Sequence, residues 1–250
     1  MRFLKWLYTA WGMIVFSVVF FSLLPLLLIP IFFPSQYKLV GILNRIWAKG
    51  LFIGILKPYK VEIRGKLDRK KQYIFCPNHF SYIDIPTMGL NPVNTIFVGK
   101  SSMSKVPVFG WMYSKLHITV DRSNLKSRYS SLIQSMDAID QGKSLVIYPE
   151  GGIVTKKDPV IARFKDGAFR VAIEKQIPIV PVTIPYNWII LPPYEFLVWR
   201  GMIKVIFHEP IETTGLTLAD ADALRDKTYA IMNQELNKHV ESYTASKRMI

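Results

Sequence analysis

The chain has 250 residues, half of them apolar, with a formal net charge of +14 at pH 7 and a single cysteine, Cys76. One cysteine excludes an intrachain disulfide framework and a zinc site built from several cysteines. The positive charge calls for acidic partners, and because no nucleic-acid-binding motif accompanies the basic residues, we expect an anionic membrane rather than a nucleic acid.

The first 60 residues have the pattern of a membrane anchor. They include seven basic residues and no acidic one, and almost every residue from 7 to 33 is apolar. That run exceeds the roughly 20 residues needed for a helix to cross a bilayer, and the basic flanks attract anionic headgroups. A secretory signal peptide has a shorter apolar part. We therefore predict an N-terminal membrane-anchoring helical segment.

The geometry of this anchor is open at the level of sequence. Pro25, Pro30 and Pro34 would kink or break a helix in the second half of the run. Either one kinked helix crosses the bilayer, or two shorter helices dip in and return to the same face. The next segment, 39–57, mixes apolar and basic residues at helical spacing. It is either an amphipathic helix in the membrane interface or a helix packed on the rest of the protein.

After Pro58 short apolar runs alternate with helical patterns, which is typical of an α/β domain. We predict an anchor over residues 1–58 and one α/β domain over residues 59–250, with a mixed central sheet flanked by helices. The predicted strands are 61–64, 73–76, 95–98, 117–120, 144–148, 179–184 and 203–207. The predicted helices are 125–141, 164–176 and 218–240, the last with Thr217 and Asp220 at capping-box spacing.

A candidate active site follows the predicted strand 73–76, where Asn78, His79, Ser81 and Asp84 occur in the chain. The end of a strand is the usual place for functional residues in an α/β fold. An imidazole can take a proton from a hydroxyl near neutral pH when its second ring nitrogen donates to a carboxylate. His79 is therefore a candidate general base oriented by Asp84. The alternative is a helix-capping or core histidine.

No other catalytic template competes with this pair. The sequence has no nucleophile elbow, no phosphate-binding loop, no His-Glu-x-x-His and no dinucleotide-binding glycine motif, so direct attack by a substrate hydroxyl is the simplest chemistry. Arg122 and the segment 148–152 end two further predicted strands. Each also has an ordinary interpretation, as a surface ion-pair partner or a solvated turn.

In this order and spacing, these segments resemble the motif blocks of the 1-acyl-sn-glycerol-3-phosphate acyltransferases, the lysophosphatidic acid acyltransferases of phospholipid synthesis. The resemblance extends over about residues 60–212. The segments 78–84, 118–122, 148–151 and 179–184 resemble the first to fourth blocks, of which the first carries the catalytic His-x-x-x-x-Asp motif. Lys100 also fits the stretch between the first two blocks.

The resemblance implies transfer of a fatty acyl group from acyl-CoA or acyl carrier protein to the sn-2 hydroxyl of lysophosphatidic acid, which yields phosphatidic acid. His79 would be the general base and Asp84 its orienting partner, without a cofactor or metal. The residues expected to bind substrate are Lys100, Arg122, Glu150, Gly151 and Lys165. Membrane phospholipids would surround the protein, with the catalytic domain on the cytoplasmic face.

Alternatives concern the acceptor and the class of function. The acceptor could be glycerol-3-phosphate, another lysophospholipid or a lyso-ornithine lipid, and a non-catalytic membrane lipid-binding protein would also fit the charge and the anchor. One departure from the family is visible, because Gly152-Ile153 stands where the third block commonly has Thr-Arg. We expect Arg163 and Lys165 to compensate for that missing arginine.

Overall fold

The computed structural model describes residues 2–154 and 159–248, which form eight α-helices and seven β-strands. The strands are β1 (Tyr59–Ile63), β2 (Ile74–Pro77), β3 (Thr95–Lys100), β4 (Ile118–Val120), β5 (Ser144–Ile147), β6 (Ile179–Thr183) and β7 (Ile203–Phe207). The helices are α1 (Arg2–Phe32), α2 (Lys38–Gly54), α3 (Asp84–Met88), α4 (Phe109–Leu116), α5 (Leu125–Asp140), α6 (Gly167–Glu174), α7 (Asn187–Ile190) and α8 (Ala221–Arg248). Short 3-10 turns occur at Pro34–Gln36, Ser101–Lys105 and Leu218–Asp220.

The seven strands form one mixed sheet in the order β1-β7-β6-β2-β5-β3-β4. From β6 to β4 the strands are parallel, β7 is antiparallel to β6, and β1 is parallel to β7. The predicted mixed sheet is thus confirmed, and each predicted strand is present within two residues of its expected ends. The carboxyl ends of β2, β3, β4, β5 and β6 lie along one edge, where the predicted site residues follow them.

Two hydrophobic cores cover the two faces of the sheet, because successive side chains of a strand point to opposite sides. Ile74 and Leu145 belong to the core under α5, α6 and α8, which we call the α5 face. Phe75 and Val146 belong to the core under α2 and α3, which we call the α2 face. The sheet therefore separates the helices that surround the site into two layers.

Helices α1 and α2 form an antiparallel hairpin that contributes to both cores, with Phe20 and Leu43 in the first and Val15 and Phe52 in the second. Gly50 and Gly54, one turn apart on α2, allow α1 to approach so closely that a Cβ added to them would lie 3.1 and 2.5 Å from Val19 and Val15. Helix α1 is continuous through its internal prolines, so the expectation that they could break it is wrong. Neighbouring helices and local adjustments can satisfy the carbonyls that proline leaves free.

The hairpin lies along the α/β domain rather than projecting from it. Near the start of α1, the Lys5 ammonium lies 2.9 Å from the centre of the Trp199 ring. At the hairpin turn, the Tyr37 hydroxyl donates to the Gly142 carbonyl at 3.2 Å. Helix α2 packs on the rest of the protein, which was one of the two alternatives predicted for segment 39–57. The division of the chain at residue 58 stays a prediction.

The three predicted helices are confirmed with shifted ends. Helix α6 begins at Gly167, three residues later than expected, and α8 continues to Arg248. The capping box is present, since Thr217 and Asp220 exchange both of its hydrogen bonds. Capping fixes where α8 leaves the loop after β7, and α8 then packs on the α5 face.

Candidate active site

His79 and Asp84 form a hydrogen-bonded pair at the carboxyl end of β2. His79 Nδ1 lies 3.0 Å from Asp84 Oδ2, and the Asp84 carboxylate is fully buried. The backbone N–H groups of Phe80 and Ser81 donate to the same oxygen at 2.7 and 2.8 Å. These donors hold the carboxylate in place from within its own turn. With Nδ1 as the donor to Asp84, Nε2 carries the free lone pair that a general base needs.

Asn187 completes the surroundings of the Asp84 carboxylate. Its Nδ2 donates to Asp84 Oδ1 at 2.8 Å and lies 2.8 Å from Thr87 Oγ1. Asn187 begins α7 just beyond β6, the parallel neighbour of β2. The sequence pattern did not indicate Asn187 as a site residue. The only available signal was a polar residue beyond the strand 179–184, at the edge of the sheet where His79 lies.

Asn78 fixes the loop that carries His79 to the end of β6. Its Oδ1 accepts from the Ile184 N–H at 2.7 Å, and its Nδ2 donates to the Ile184 carbonyl at 3.1 Å. This two-bond contact continues the pairing of β2 with β6 beyond the strands. Asn78 is fully buried, so its role is to position the loop rather than to contact substrate.

Tyr148 and Glu150, from the end of β5, hold His79 from the other side. The Tyr148 ring stacks on the imidazole with centroids 4.1 Å apart. Glu150 Oε1 accepts from the His79 N–H at 2.6 Å, and its Oε2 accepts from the Ala162 N–H at 2.8 Å. Burial raises the pKa of Glu150 to about 7 against the opposing effect of these two hydrogen bonds. The carboxylate thus joins two loops, and its predicted contact with substrate stays a prediction.

Arg122, Gly151 and Lys165 form a cationic cluster next to this network. The Arg122 guanidinium donates to the Gly151 carbonyl, and a Cβ added to Gly151 would lie 2.8 Å from Lys165 Nζ. Gly151 and Gly152 have φ angles of +79° and +154°, which residues with a side chain rarely adopt. The glycine pair therefore provides both the turn and the space for two cations, and Lys165 folds back to the third block as expected.

Lys100 is farther from this cluster. It ends β3 on the same edge of the sheet, and its side chain is exposed. Within residues 2–154 and 159–248 no hydrogen bond or ion pair joins it to Arg122 or Lys165. Its role in substrate binding stays a prediction. The same described residues contain no group of three metal-ligating side chains, and the expectation that no metal takes part is not tested by that finding.

A groove of about 800 Å³ begins beside Tyr148 and runs along the α5 face between α5 and α6. Arg122, Gly151 and Lys165 line its end near His79. The site thus combines a base with a free ring nitrogen, a buried carboxylate that orients it, and cations suited to a phosphate. Such an arrangement can deprotonate a hydroxyl of a phosphate-bearing molecule.

Comparison with known proteins agrees with this geometry. A family model described as "Acyltransferase" matches residues 59–185. The chain is 29% identical over 194 residues to the 1-acyl-sn-glycerol-3-phosphate acyltransferase BAT2 of Brassica napus, covering 76% of this chain and 55% of the relative. It is 32% identical over 217 residues to a Mycoplasma pneumoniae protein named "Probable 1-acyl-sn-glycerol-3-phosphate acyltransferase", covering 81% and 77%.

The fold is also that of a solved structure. The 1-acyl-sn-glycerophosphate (LPA) acyltransferase PlsC from Thermotoga maritima matches with a TM-score of 0.76 at 20% identity, covering 95% of this chain and 96% of the other. At that identity the likeness concerns the fold alone. Among the plant relatives, the chain spans about half the length of the Brassica napus protein and of the Arabidopsis thaliana LPAT1 protein, 55% and 51% respectively.

Proposed function

Because the chain belongs to the acyltransferase family, we propose that it transfers a fatty acyl group from a thioester donor to the sn-2 hydroxyl of lysophosphatidic acid. The observation that carries this proposal is the His79–Asp84 pair beside the cationic cluster of Arg122 and Lys165. The pair supplies a base for a hydroxyl, and the cluster supplies charge for a phosphate. The names of the relatives, which specify 1-acyl-sn-glycerol-3-phosphate acyltransferases, support this choice of acceptor.

The reaction needs no covalent bond to the protein. His79 Nε2 takes the proton of the acceptor hydroxyl while the oxygen attacks the thioester carbonyl. The tetrahedral intermediate then collapses, the carbon–sulfur bond breaks, and the thiolate leaves with the proton from His79. The charged Asp84 stabilises the imidazolium that exists between these two proton transfers. The acceptor phosphate carries about −1.5 to −2 charges at pH 7, which Arg122 and Lys165 offset.

The same proposal places the hairpin in a membrane surface. Helix α1 is long and apolar enough to cross a membrane by length and composition. Its outward side carries a row of exposed apolar residues at helical spacing, continued by exposed isoleucines of α2: Leu7, Trp11, Ile14, Val18, Phe21, Ile42 and Ile46. Because both ends of the hairpin contact the α/β domain, it lies in one leaflet with its apolar side toward the lipid. As the family resemblance implies, we propose that the α/β domain faces the cytoplasm.

The experiment is a product analysis with purified full-length protein in lipid nanodiscs. Lysophosphatidic acid, glycerol-3-phosphate, another lysophospholipid and a lyso-ornithine lipid are each offered with acyl-CoA and with acyl carrier protein, and products are identified by mass spectrometry. We expect phosphatidic acid from lysophosphatidic acid and much less product from the other acceptors. A different preferred acceptor would overturn the assignment of substrate. Lipid binding without any product would favour a non-catalytic lipid-binding protein.

A further inference from the structure

The loop between α7 and β7, residues 191–202, exposes a group of large apolar side chains, and we call it the α7–β7 loop. Its exposed apolar members are Tyr194, Phe196, Trp199 and Met202. Single exposed apolar residues are normal on a protein surface, but several in one loop mark an interaction surface.

Two exposed side chains in this region stand on left-handed backbone. Phe196 of the loop and Leu56, just beyond the end of α2, both have a φ of +52°, and they are 56% and 83% exposed. Left-handed backbone costs free energy in a residue with a bulky side chain. Water does not offset the cost of holding an apolar group outward, whereas insertion into lipid does. These two residues therefore favour a membrane as the partner of this surface.

The α7–β7 loop is attached to the first turns of α1. The Val198 N–H donates to Thr9 Oγ1 at 3.0 Å, and the Lys5 ammonium lies over the Trp199 ring. Lys5 and Thr9 are one turn apart on α1, beside the row of exposed apolar residues that begins at Leu7. The loop therefore borders the side of the hairpin that is proposed to face lipid.

Three cations meet around Trp199 without a carboxylate partner. Lys5 lies over its ring, the Lys57 ammonium donates to its carbonyl, and Arg200 follows it in the chain. Burial, together with the charge of Arg200, lowers the pKa of Lys57 to about 8. Among the described residues none of the three cations forms an ion pair. The carboxylate of the loop, Glu195, instead accepts from Trp199 Nε1 at 3.2 Å.

Lys57 shows what kind of ligand this cluster lacks. The residue is only 6% exposed, and of the three N–H bonds of its ammonium one has an acceptor within residues 2–154 and 159–248. The Tyr8 ring lies 5.1 Å away. A nearly buried ammonium without a counter-ion is unfavourable unless an anion approaches it. Lipid phosphates lie at the depth of the membrane that tryptophan and tyrosine side chains prefer.

We propose that the α7–β7 loop is a second membrane-contacting surface that binds the headgroup phosphate of an anionic phospholipid. This inference rests on the proposed placement of the hairpin in a membrane. The phosphate lies among Lys5, Lys57 and Arg200. The side chains of Tyr194 and Phe196 enter the boundary between the headgroups and the acyl chains.

This surface adjoins the turn that carries the catalytic pair. Ser81 Oγ donates to the Leu191 carbonyl at 2.6 Å, and the Tyr82 ring lies 5.1 Å from the Phe196 ring. Ser81 and Tyr82 both lie between His79 and Asp84 in the chain. Lipid contact at the loop therefore places the mouth of the site at the surface from which a lipid acceptor comes.

The first test locates the loop with a fluorescent probe. Cys76 is fully buried, and burial raises the pKa of its thiol, so an introduced cysteine can be labelled selectively. Full-length Tyr194→Cys protein carries a polarity-sensitive dye in nanodiscs of phosphatidylcholine with about a third phosphatidylglycerol. We expect a blue-shifted emission that nitroxide-labelled lipid quenches, and neither effect for the control Asn237→Cys at an exposed position of α8. A Tyr194 probe that behaves like the control would overturn the proposal and leave the loop to a protein partner.

The second test concerns the phosphate. Lys57→Gln combined with Arg200→Gln should raise the phosphatidylglycerol fraction that gives half of the emission change at least about fivefold, the effect of a charge worth ~1 kcal/mol at an anionic surface. The control Lys66→Gln with Lys227→Gln removes two exposed charges elsewhere and should leave that fraction unchanged. Thermal melting checks the fold; if burial of Lys57 makes its variant unstable, Lys5→Gln with Arg200→Gln carries the test.

Three results would overturn the phosphate site. They are an equal response of the Tyr194 probe in pure phosphatidylcholine, an equal loss in the control variant, and a response to inorganic phosphate in phosphatidylcholine nanodiscs, which would mean a site for free phosphate.

Membrane attachment and product formation separate this surface from the proposed function. If wild-type protein cosediments with vesicles while the Tyr194 probe stays in water, the loop assignment fails and the placement of the hairpin stands. If the probe enters lipid and responds to phosphatidylglycerol but the protein makes no phosphatidic acid, the loop assignment stands and the proposed acyl transfer fails.

Discussion

The substitution Asp84→Asn removes the negative charge of the group that orients His79 and keeps nearly the same shape. In the native site Oδ2 accepts three hydrogen bonds and Oδ1 accepts one from Asn187 Nδ2 at 2.8 Å. An asparagine with its oxygen in the Oδ2 position would point its NH2 group at that of Asn187. Asn187 Oδ1 is buried and has no partner among the described residues. Exchange of the Asn187 oxygen and nitrogen by rotation would therefore restore the contact and preserve the fold.

The Asp84→Asn substitution should therefore lower kcat rather than the stability of the fold. The Asp84 carboxylate lies 3.0 Å from His79 Nδ1, where in the proposed mechanism it stabilises the imidazolium and fixes the tautomer. Replacing such a carboxylate by an amide in a histidine-based site costs about ten-thousandfold in kcat. The Phe80 and Ser81 N–H groups still hold the amide oxygen in place, so we expect a fall of about a thousand- to ten-thousandfold. That corresponds to ~4 to 5.5 kcal/mol of barrier.

The assay is kcat for phosphatidic acid formation in nanodiscs, with KM for both substrates and the melting temperature measured in parallel. KM should change little, because the carboxylate acts in the transition state and not on bound substrate. Asp137→Asn, on the exposed side of α5, is the matched control and should retain wild-type kcat. A folded Asp84→Asn protein with less than about a tenfold loss would refute the role assigned to the charge.

Three further predictions concern substrate binding, membrane attachment and acid stability. Lys165→Ala should raise KM for lysophosphatidic acid about tenfold with a smaller change in kcat; an unchanged KM would place Lys165 outside the phosphate site. Ile14→Asn with Phe21→Asn should lower the fraction that cosediments with vesicles in high salt, and undiminished binding would locate the anchor elsewhere. Hydrogen bonds from Arg64 lower the pKa of Glu235 from its usual 4.5 to about 2, so its stabilisation is present above pH ~4.5 and lost as pH falls toward 2. Urea unfolding of Glu235→Gln should show a weaker loss of stability over that range, and an unchanged acid profile would contradict this assignment.

Local patterns predicted most of the fold because each strand carries its own apolar run between turn residues. The short spacing between His79 and Asp84 was equally visible, since a single turn joins them. Asn187 was not identified as a site residue, and Tyr148 was identified only as part of the third block, because strand order brings them to His79 from distant parts of the chain. No local pattern encodes the adjacency of β2 to β5 and β6.

The packing of the hairpin could also be predicted only in part from the sequence. Hydropathy identified the apolar run in α1 but could not say whether lipid or protein covers it. Tertiary contacts show which side the protein covers, because Gly50 and Gly54 admit α1 against α2, and Lys5 and Tyr37 attach both ends of the hairpin to the α/β domain. The start of α6 was also placed too early, since Phe164 is a core residue in a loop rather than the first turn of a helix.

The most direct test of the mechanism is the rate of phosphatidic acid formation from lysophosphatidic acid and acyl-CoA by His79→Ala protein in nanodiscs, compared with wild type. In the proposed mechanism a general base lowers the barrier and adds little to stability, so turnover should fall at least about a hundredfold with an unchanged melting temperature and unchanged membrane attachment. A folded His79→Ala protein that forms phosphatidic acid at a near wild-type rate would contradict general base catalysis by His79.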